Sequence, residues 1–194
     1  MGVKAVLRHL YKKKRQGLDE VTYHALQQDM LRNFCTLSFQ RIRYLHCFFP
    51  IQKFREPDTL LLMQWLRQDH PAVHVVTSKL VPGTTDLEHY YNFSSDRLME
   101  NSWGIPEPTD GIRINADALD MVLVPLLIFD KQGHRVGYGK GFYDRFLQMC
   151  RPDCQKVGLS LFEPVEFIRD VQATDIALDA CISPSKVWLF KGNV

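Results

Sequence analysis

The residue types and spacing most suited to chemistry lie in the segment GHRVGYGKGFYDR, residues 133–145. Glycines stand at the alternate positions 137, 139 and 141, which removes Cβ atoms and lets several backbone N–H groups point at one anion. Lys140 and Arg135 add cationic donors, and the N-terminus of a helix predicted to follow would face the same point. We therefore predict a phosphate-binding loop.

Two common phosphate-binding motifs do not fit this segment. A Walker A loop needs Ser or Thr after its lysine and Gly at position 134, whereas this chain has Gly141 and His134 at those positions. The third glycine of a GxGxxG dinucleotide motif would fall on Phe142. These residues alone leave open the alternative of a tight strand-to-helix turn with solvated cations.

Two aspartates are candidates for a metal site beside this loop. Asp144 lies three residues after Gly141, in the first turn of the predicted helix, and Asp175 lies in the later segment ATDIALD. Beside a triphosphate such a carboxylate can hold Mg²⁺, which favours one or two carboxylates plus phosphate oxygens. The alternative for each aspartate is a helix cap or turn residue that interacts with the helix dipole.

The first predicted helix could contribute further cations. Lys4 and Arg8 are spaced i, i+4, so both side chains can reach toward one anion. The alternative is a solvated basic face, which is also our interpretation of the lysines at 12–14.

The other side of a substrate could be recognised by polar and aromatic groups. Glu56 lies just before a predicted helix and can hydrogen-bond a polar heterocycle, and Trp103 can offer a flat face to a ring. Tyr138, Phe142 and Tyr143 could do the same, although each aromatic residue could equally belong to the core. None of the seven histidines has a triad-like or metal-like context, although His134 lies in the loop segment.

These residues require an alternating framework to position them. Hydrophobic periodicity predicts helices over residues 2–16, 19–37, 57–68 and 141–149, and strands over 43–49, 73–77, 119–130, 156–160, 180–183 and 187–190. Residues 81–115 are rich in Gly, Pro, Asn and Asp and are predicted to form short strands and loops. The pattern indicates a Rossmann-like α/β fold with a central, mostly parallel sheet of five to seven strands, flanked by helices. Ligands bind beyond the carboxyl ends of the strands in such sheets.

Composition limits the classes of function. The 194 residues are expected to form one domain, 1–194, and 24 Lys+Arg against 22 Asp+Glu leave too little net charge to indicate a nucleic-acid partner. No apolar run is long enough to span a membrane, and the N-terminal residues lack a secretory signal, so a cytoplasmic location is expected. The five cysteines fit a reducing compartment. Cys150 and Cys154 are expected on one helix face, without the further soft ligands that zinc would need.

Several segments together resemble the 5-formyltetrahydrofolate cyclo-ligase family, whose members are also called 5,10-methenyltetrahydrofolate synthetases. The resemblance extends from end to end of the chain, and its most specific part is VPLLIFDKQGHRVGYGKGFYDRFL at 124–147. The other segments are Lys4xxxArg8, Glu56xAsp58Thr59, SWGIPEP at 102–108 and the late Asp175. The segment TSKLVPG at 77–83 departs from the family, which usually has Pro followed by a basic residue there.

The resemblance implies a single α/β domain and a reaction that requires ATP and Mg²⁺. The reaction would close the ring of 5-formyltetrahydrofolate to give 5,10-methenyltetrahydrofolate, ADP and phosphate, through phosphorylation of the formyl oxygen. The implied metal ligands are Asp144 and Asp175, the folate-facing residues are Glu56, Trp103 and Tyr143, and the catalytic residues are Lys140, Arg135 and Tyr143. The implied ATP-binding residues are Lys4, Arg8, Gly133, His134, Arg135, Val136, Gly137, Tyr138, Gly139, Lys140, Gly141, Phe142 and Tyr143.

Alternatives of other classes stay open. The chain could be a non-catalytic nucleotide- or folate-binding regulatory homologue, or a nucleic-acid binder that uses the basic run at 12–15. The near-neutral net charge disfavours the nucleic-acid binder, and the combination of Arg135, Lys140 and Asp144 disfavours the regulatory homologue. We expect a small-molecule enzyme that works as a monomer, without a nucleic-acid or membrane partner.

Overall fold

The computed structural model describes residues 2–190, in which strands and helices alternate along most of the chain. The predicted domain limits, residues 1 and 194, lie outside this range. The four helices are α1 (Val3–Gln16), α2 (Glu20–Phe34), α3 (Thr59–Asp69) and α4 (Phe142–Met149). The strands are β1 (Tyr44–His46), β2 (His74–Leu80), β3 (Leu87–Tyr91), β4 (Leu98–Glu100), β5 (Pro106–Pro108), β6 (Ile112–Ile114), β7 (Met121–Pro125), β8 (Ile128–Phe129), β9 (Arg135–Val136), β10 (Gln155–Leu159), β11 (Ala180–Ile182) and β12 (Val187–Leu189).

One mixed sheet forms the centre of the fold. Its strand order is β12-β11-β10-β7-β1-β2-β3-β6, and the five strands from β11 to β2 run parallel. The three outer strands β12, β3 and β6 are antiparallel to their neighbours. The predicted α/β fold with a mostly parallel sheet is confirmed. The predicted strand count was too low, because β3 and β6 from the loop-rich segment 81–115 extend the sheet to eight strands.

The predicted strand over 119–130 is interrupted. Residues 121–124 of β7 are at most 1% exposed, as expected for a central parallel strand that is covered on both faces. The strand ends at Pro125, which has no N–H to continue the ladder. β8 then pairs with β9 in a separate antiparallel hairpin that leads into the glycine segment.

Helix limits follow the capping groups. Asp19 caps α2 as predicted, because its carboxylate accepts a hydrogen bond from the Thr22 N–H at 2.8 Å. α3 begins two residues later than predicted, since the carboxylate of Asp58 accepts from the Leu60 N–H at 3.1 Å and makes Asp58 the cap. α4 ends at Met149, so the prediction that Cys150 and Cys154 share a helix face is wrong.

Two cores lie on opposite faces of the sheet. Met121 and Leu123 of β7 pack with α2 and α3, whereas Val122 and Val124 pack on the other face with Phe146 of α4. A third cluster seats α1 against β8, β9 and the segment around residue 168. Within residues 2–190, no helix is long and apolar enough to cross a bilayer.

Candidate active site

The glycine loop, residues 137–141, joins β9 to the N-terminus of α4. Gly139 and Gly141 have φ values of +88° and +71°, which L-residues with a Cβ adopt rarely. Gly141 is also the N-cap of α4, so no side chain there occupies the first N–H groups of the helix. The loop therefore combines glycine backbone that a ligand can approach closely with the N-terminus of α4, as the sequence predicted.

A cavity of about 510 Å³ opens beside this loop, beyond the carboxyl ends of β1 and β7. Its wall includes Arg135, the whole glycine loop and the first turn of α4 as far as Asp144. The opposite wall includes Glu56 and Trp103, which belong to distant parts of the sequence. The structure thus brings the predicted catalytic residues Lys140, Arg135 and Tyr143 to the same cavity as the predicted folate-facing residues.

Six of the predicted site residues do not line the cavity: Lys4, Arg8, Gly133, His134, Val136 and Asp175. Gly133 and His134 form a tight turn around the buried carboxylate of Asp130, which accepts from the His134 N–H at 2.9 Å and lies 3.1 Å from its Nδ1. Val136 is buried in the cluster under α1. The direct contacts of His134 are therefore structural rather than with the cavity.

Arg135 lines the cavity but is already paired. Its guanidinium donates to Asp144 Oδ1 at 2.6 Å and to the backbone oxygen of Ile176, and its side chain is only 6% exposed. Burial lowers the pKa of Arg135, and the nearby carboxylate of Asp144 opposes this shift. The charge of the predicted cationic donor Arg135 is therefore already balanced by the carboxylate of Asp144.

Lys140 is the exposed cation of the loop. No acidic side chain within residues 2–190 forms an ion pair with it, and its backbone oxygen accepts a hydrogen bond from Arg145 at 2.8 Å. Its ammonium group is therefore available to an anionic ligand.

Asp144 and Asp175 both interact electrostatically with the charge of Arg135. The Oδ2 atom of Asp175 accepts hydrogen bonds from Lys4 Nζ and from the Gln172 N–H, the latter at 2.6 Å. Burial raises the pKa of Asp175, but these hydrogen bonds and the charge of Lys4 outweigh it, so the pKa is lowered overall. Residues 2–190 contain no group of three or more metal-binding side chains, so the magnesium site stays a prediction based on two carboxylates.

The first helix supports the loop from behind. The Nε atom of Arg8 donates to the Gly137 oxygen at 2.9 Å, and the guanidinium lies where a Cβ on Gly139 would approach within 3.0 Å. Lys4 turns instead toward Asp175. The i, i+4 spacing suggested that the two side chains reach toward one anion, but they point to different partners. Their contact with a nucleotide stays a prediction.

A buried polar network connects α1 with the cavity wall. Glu56, 2% exposed, accepts from the Ile51 N–H at 2.7 Å through Oε2 and from the Tyr138 hydroxyl through Oε1. Burial raises the pKa of Glu56, whereas the Arg15 guanidinium 4.0 Å away and the Tyr138 hydrogen bond lower it. Tyr138 was predicted on the nucleotide side, but its hydroxyl contacts Glu56. The sequence analysis missed Arg15.

Aromatic side chains close the mouth of the cavity. Trp103, on the turn between β4 and β5, lies edge-on to Phe142 with ring centres 5.6 Å apart, and its backbone oxygen accepts from Lys53 Nζ at 3.2 Å. Tyr143 lies deeper in the wall, where burial raises the pKa of its hydroxyl. The predicted contribution of Trp103 and Tyr143 to a ring-binding surface is consistent with these positions.

A polar cluster that was not predicted from the sequence lies at the sheet end of the cavity. The hydroxyl of Ser78 lies 2.7 Å from His46 Nε2 and 2.9 Å from His89 Nδ1. Ser78 and His89 are direct cross-strand partners of β2 and β3. The alternation of β3 could have revealed this pairing, but the prediction of short strands and loops over residues 81–115 gives no strand limits.

Comparisons with known proteins agree on one family. The model of the 5-formyltetrahydrofolate cyclo-ligase family matches residues 1–180. A 5-formyltetrahydrofolate cyclo-ligase of Mycoplasma genitalium is 38% identical over 69 residues, which cover 35% of this chain and 42% of the relative. The enzyme of that name from Escherichia coli is 38% identical over 94 residues, covering 47% and 52% respectively. The chain thus aligns with about half the length of these curated relatives.

A solved structure extends the likeness to almost the whole chain. The 5,10-methenyltetrahydrofolate synthetase of Aquifex aeolicus, solved by NMR, superposes with a TM-score of 0.76 at 27% identity, covering 99% of this chain and 95% of the other.

Proposed function

Because this chain belongs to the 5-formyltetrahydrofolate cyclo-ligase family, we propose that it converts 5-formyltetrahydrofolate and ATP to 5,10-methenyltetrahydrofolate, ADP and phosphate. The main structural support is one cavity with two chemically different walls. The glycine loop with the exposed cation Lys140 suits phosphates, while Glu56 and the aromatic side chains suit a polar heterocycle. A site that transfers phosphate from ATP to a folate needs a surface for each of these ligands.

The chemistry of the substrate explains why a phosphate donor is needed. A formamide is a poor electrophile, and its oxygen is a poor leaving group. Attack of the formyl oxygen on the γ-phosphate would break the bond to ADP and give a phosphorylated imidate-like group. The N10 nitrogen would then attack the formyl carbon, and phosphate would leave as the ring closes and N10 loses its proton.

The protein's part in this sequence is positioning and charge stabilisation. Lys140 and the loop N–H groups would hold the transferring phosphate, and Arg135, fixed by Asp144, would present its remaining N–H donors. Tyr143 and Trp103 would orient the folate ring. No side-chain nucleophile is required, because the substrate's own oxygen and nitrogen form the new bonds.

Asp144 and Asp175 would hold magnesium, which would supply positive charge to the phosphates. Each carboxylate has one oxygen, Asp144 Oδ2 and Asp175 Oδ1, without a hydrogen-bond partner among residues 2–190. Carboxylate oxygens are the ligands that this cation prefers, and the ion would neutralise phosphate charge during transfer.

The test is the appearance of methenyltetrahydrofolate absorbance when the protein is mixed with 5-formyltetrahydrofolate, ATP and magnesium. We expect Lys140→Ala to lose at least 90% of kcat/KM while its melting temperature hardly moves, because an exposed cation contributes little to packing. Lys131→Ala is the matched control, since Lys131 is exposed, lies outside the cavity and pairs with Glu166 at 2.6 Å. A wild-type protein that binds ATP and folate without turnover would instead be a regulatory homologue.

A further inference from the structure

The cluster of His46, Ser78 and His89 is a polar site that the proposed reaction does not use. Ser78 and His46 line the cavity, at the carboxyl ends of β2 and β1, and His89 stands behind Ser78 on β3. The Phe146 ring of α4 covers both imidazoles, with centre distances of 4.9 Å to His46 and 4.2 Å to His89. Phe146 therefore packs against the two imidazoles, and the half-buried Ser78 forms part of the cavity wall.

Both imidazoles are uncharged at neutral pH. Burial is the main cause that lowers the pKa of each, well below its ordinary value for His46 and to about 4 for His89. No acidic side chain among the described residues is hydrogen-bonded to either ring. A neutral imidazole has one donor nitrogen and one acceptor nitrogen.

The number of protons in the cluster determines which hydrogen-bond donors and acceptors it has. The Ser78 hydroxyl has one proton, so it can donate to one histidine while it accepts from the other. The outer atoms His46 Nδ1 and His89 Nε2 have no partner among residues 2–190, and in either arrangement one of them is a donor and the other an acceptor. The Ser78 oxygen also keeps one lone pair free. The cluster thus presents hydrogen-bonding capacity without charge, and its direction can reverse by exchange of tautomers.

A site of this kind suits an uncharged polar ring and not a phosphate. Phosphate binding uses cations or convergent N–H groups, which the cavity provides at the glycine loop. The Ser78 side instead combines a hydroxyl with apolar neighbours, including Leu80 and Leu87.

We propose that Ser78, held between His46 and His89, is a substrate-binding residue that hydrogen-bonds the uncharged fused ring of the folate. The inference rests on the proposed function and adds the residue that places the heterocycle at the sheet end of the cavity. It also gives a role to the segment 77–83, where this chain departs from the family's usual sequence.

The test compares Ser78→Ala with Ser78→Thr by equilibrium binding of 5-formyltetrahydrofolate without nucleotide. One hydrogen bond lost from a partly buried site raises Kd about fivefold, and Thr restores the hydroxyl, so its Kd is expected within twofold of wild type. The Kd of a non-hydrolysable ATP analogue, measured without folate, is expected to change less than twofold in both variants.

Ser160→Ala controls for loss of stability alone. Ser160 is 1% exposed, its hydroxyl makes two hydrogen bonds with Phe162, and it lies outside the cavity. We expect this variant to lower the melting temperature while leaving the folate Kd unchanged.

The outcomes separate the inference from the proposed activity. An unchanged folate Kd in Ser78→Ala, or an equal loss of affinity for the ATP analogue, overturns the inference. A wild-type protein that binds 5-formyltetrahydrofolate but never forms product overturns the proposed activity alone. A wild-type protein that does not bind this folate overturns both.

Discussion

The imidazole of His89 connects the cavity to the pH dependence of folding. Its pKa is lowered from 6.5 to about 4, mainly by burial and also by the positive charge of Arg113. Because the unfolded chain binds the proton more readily, protonation favours unfolding, and the stabilising effect of the neutral ring is lost as pH falls below 6.5. Loss is complete only below the native pKa.

We predict that wild type loses about 2 kcal/mol more unfolding free energy than His89→Asn between pH 7.5 and pH 5. Asn places a nitrogen or oxygen close to the Nδ1 position, so it can keep the hydrogen bond to Ser78, but it does not titrate. Urea unfolding at both pH values gives the difference, which cancels shared contributions such as that of Glu56. Equal losses in the two proteins would show that His89 is already protonated in the native state or accessible to water.

Arg15 shows why part of the site escapes prediction from sequence. The sequence places it in the basic run at 12–15, whereas it is 1% exposed and donates to the oxygens of Phe54, Leu126 and Tyr138. Those partners are 39, 111 and 123 residues away, so the spacing of nearby residues does not indicate that Arg15 is buried or which groups it contacts. Lys140 was predictable because its environment consists of its own sequence neighbours.

The glycine residues at and near the loop differ in backbone conformation. Gly133, Gly139 and Gly141 have positive φ, but Gly137 does not. A Cβ on Gly133 would meet the Leu178 oxygen and the Phe190 ring at 2.9 Å, whereas a Cβ on Gly137 would have no atom within 4 Å. Among the alternating glycines, Gly139 and Gly141 are therefore favoured by their positive φ, whereas Gly137 leaves open space where a Cβ would stand.

We predict that Gly133→Ala destabilises the fold by about 2 kcal/mol or more, through a strained φ and a steric clash. Gly137→Ala should keep the wild-type melting temperature and weaken ATP binding several-fold, because the new methyl group enters space that the phosphates would use. Thermal melts and titration with an ATP analogue check both. Unchanged ATP affinity in Gly137→Ala would place the phosphates elsewhere in the cavity.

Strands were predictable where both faces are buried and less so at the edge. The apolar residues of β7 and β11 and the buried second half of β10 are typical of parallel central strands. β6 is the edge strand and β3 is its neighbour; both are only partly buried, and their polar residues resemble those of the neighbouring turns. Because no limits were predicted for the short strands within residues 81–115, the cross-strand pairing of Ser78 with His89 was not predicted either.

Two aspartates hold α1 to the last third of the chain. Both carboxylate oxygens of Asp170 accept from the backbone N–H of Lys4 at 2.9 Å, and Asp175 forms an ion pair with the Lys4 side chain. Arg8, one turn later, contacts the glycine loop. The anchoring of α1 therefore also supports the loop.

Both aspartates anchor α1, but only Asp175 is also a proposed magnesium ligand. We predict that Asp170→Asn and Asp175→Asn both lower the melting temperature, but that only Asp175→Asn raises the magnesium concentration needed for half-maximal activity, by about tenfold, because it removes a charged ligand. Magnesium titrations beside thermal melts give both quantities. The same magnesium shift in both variants would mean that displacement of α1, rather than a lost ligand, is the cause.

The contact between Lys4 and Asp170 spans 166 residues, which has a consequence during biosynthesis. At about 5–20 residues per second, a ribosome needs roughly 10–30 s to add the partner of α1 after α1 itself has been made. During that interval the apolar side chains of Leu7 and Tyr11 have no Ile168 to pack against, and a 14-residue helix is marginally stable alone. The nascent chain therefore exposes the apolar face of α1, to which chaperones can bind. The glycine loop gains its support from Arg8 only when that segment docks.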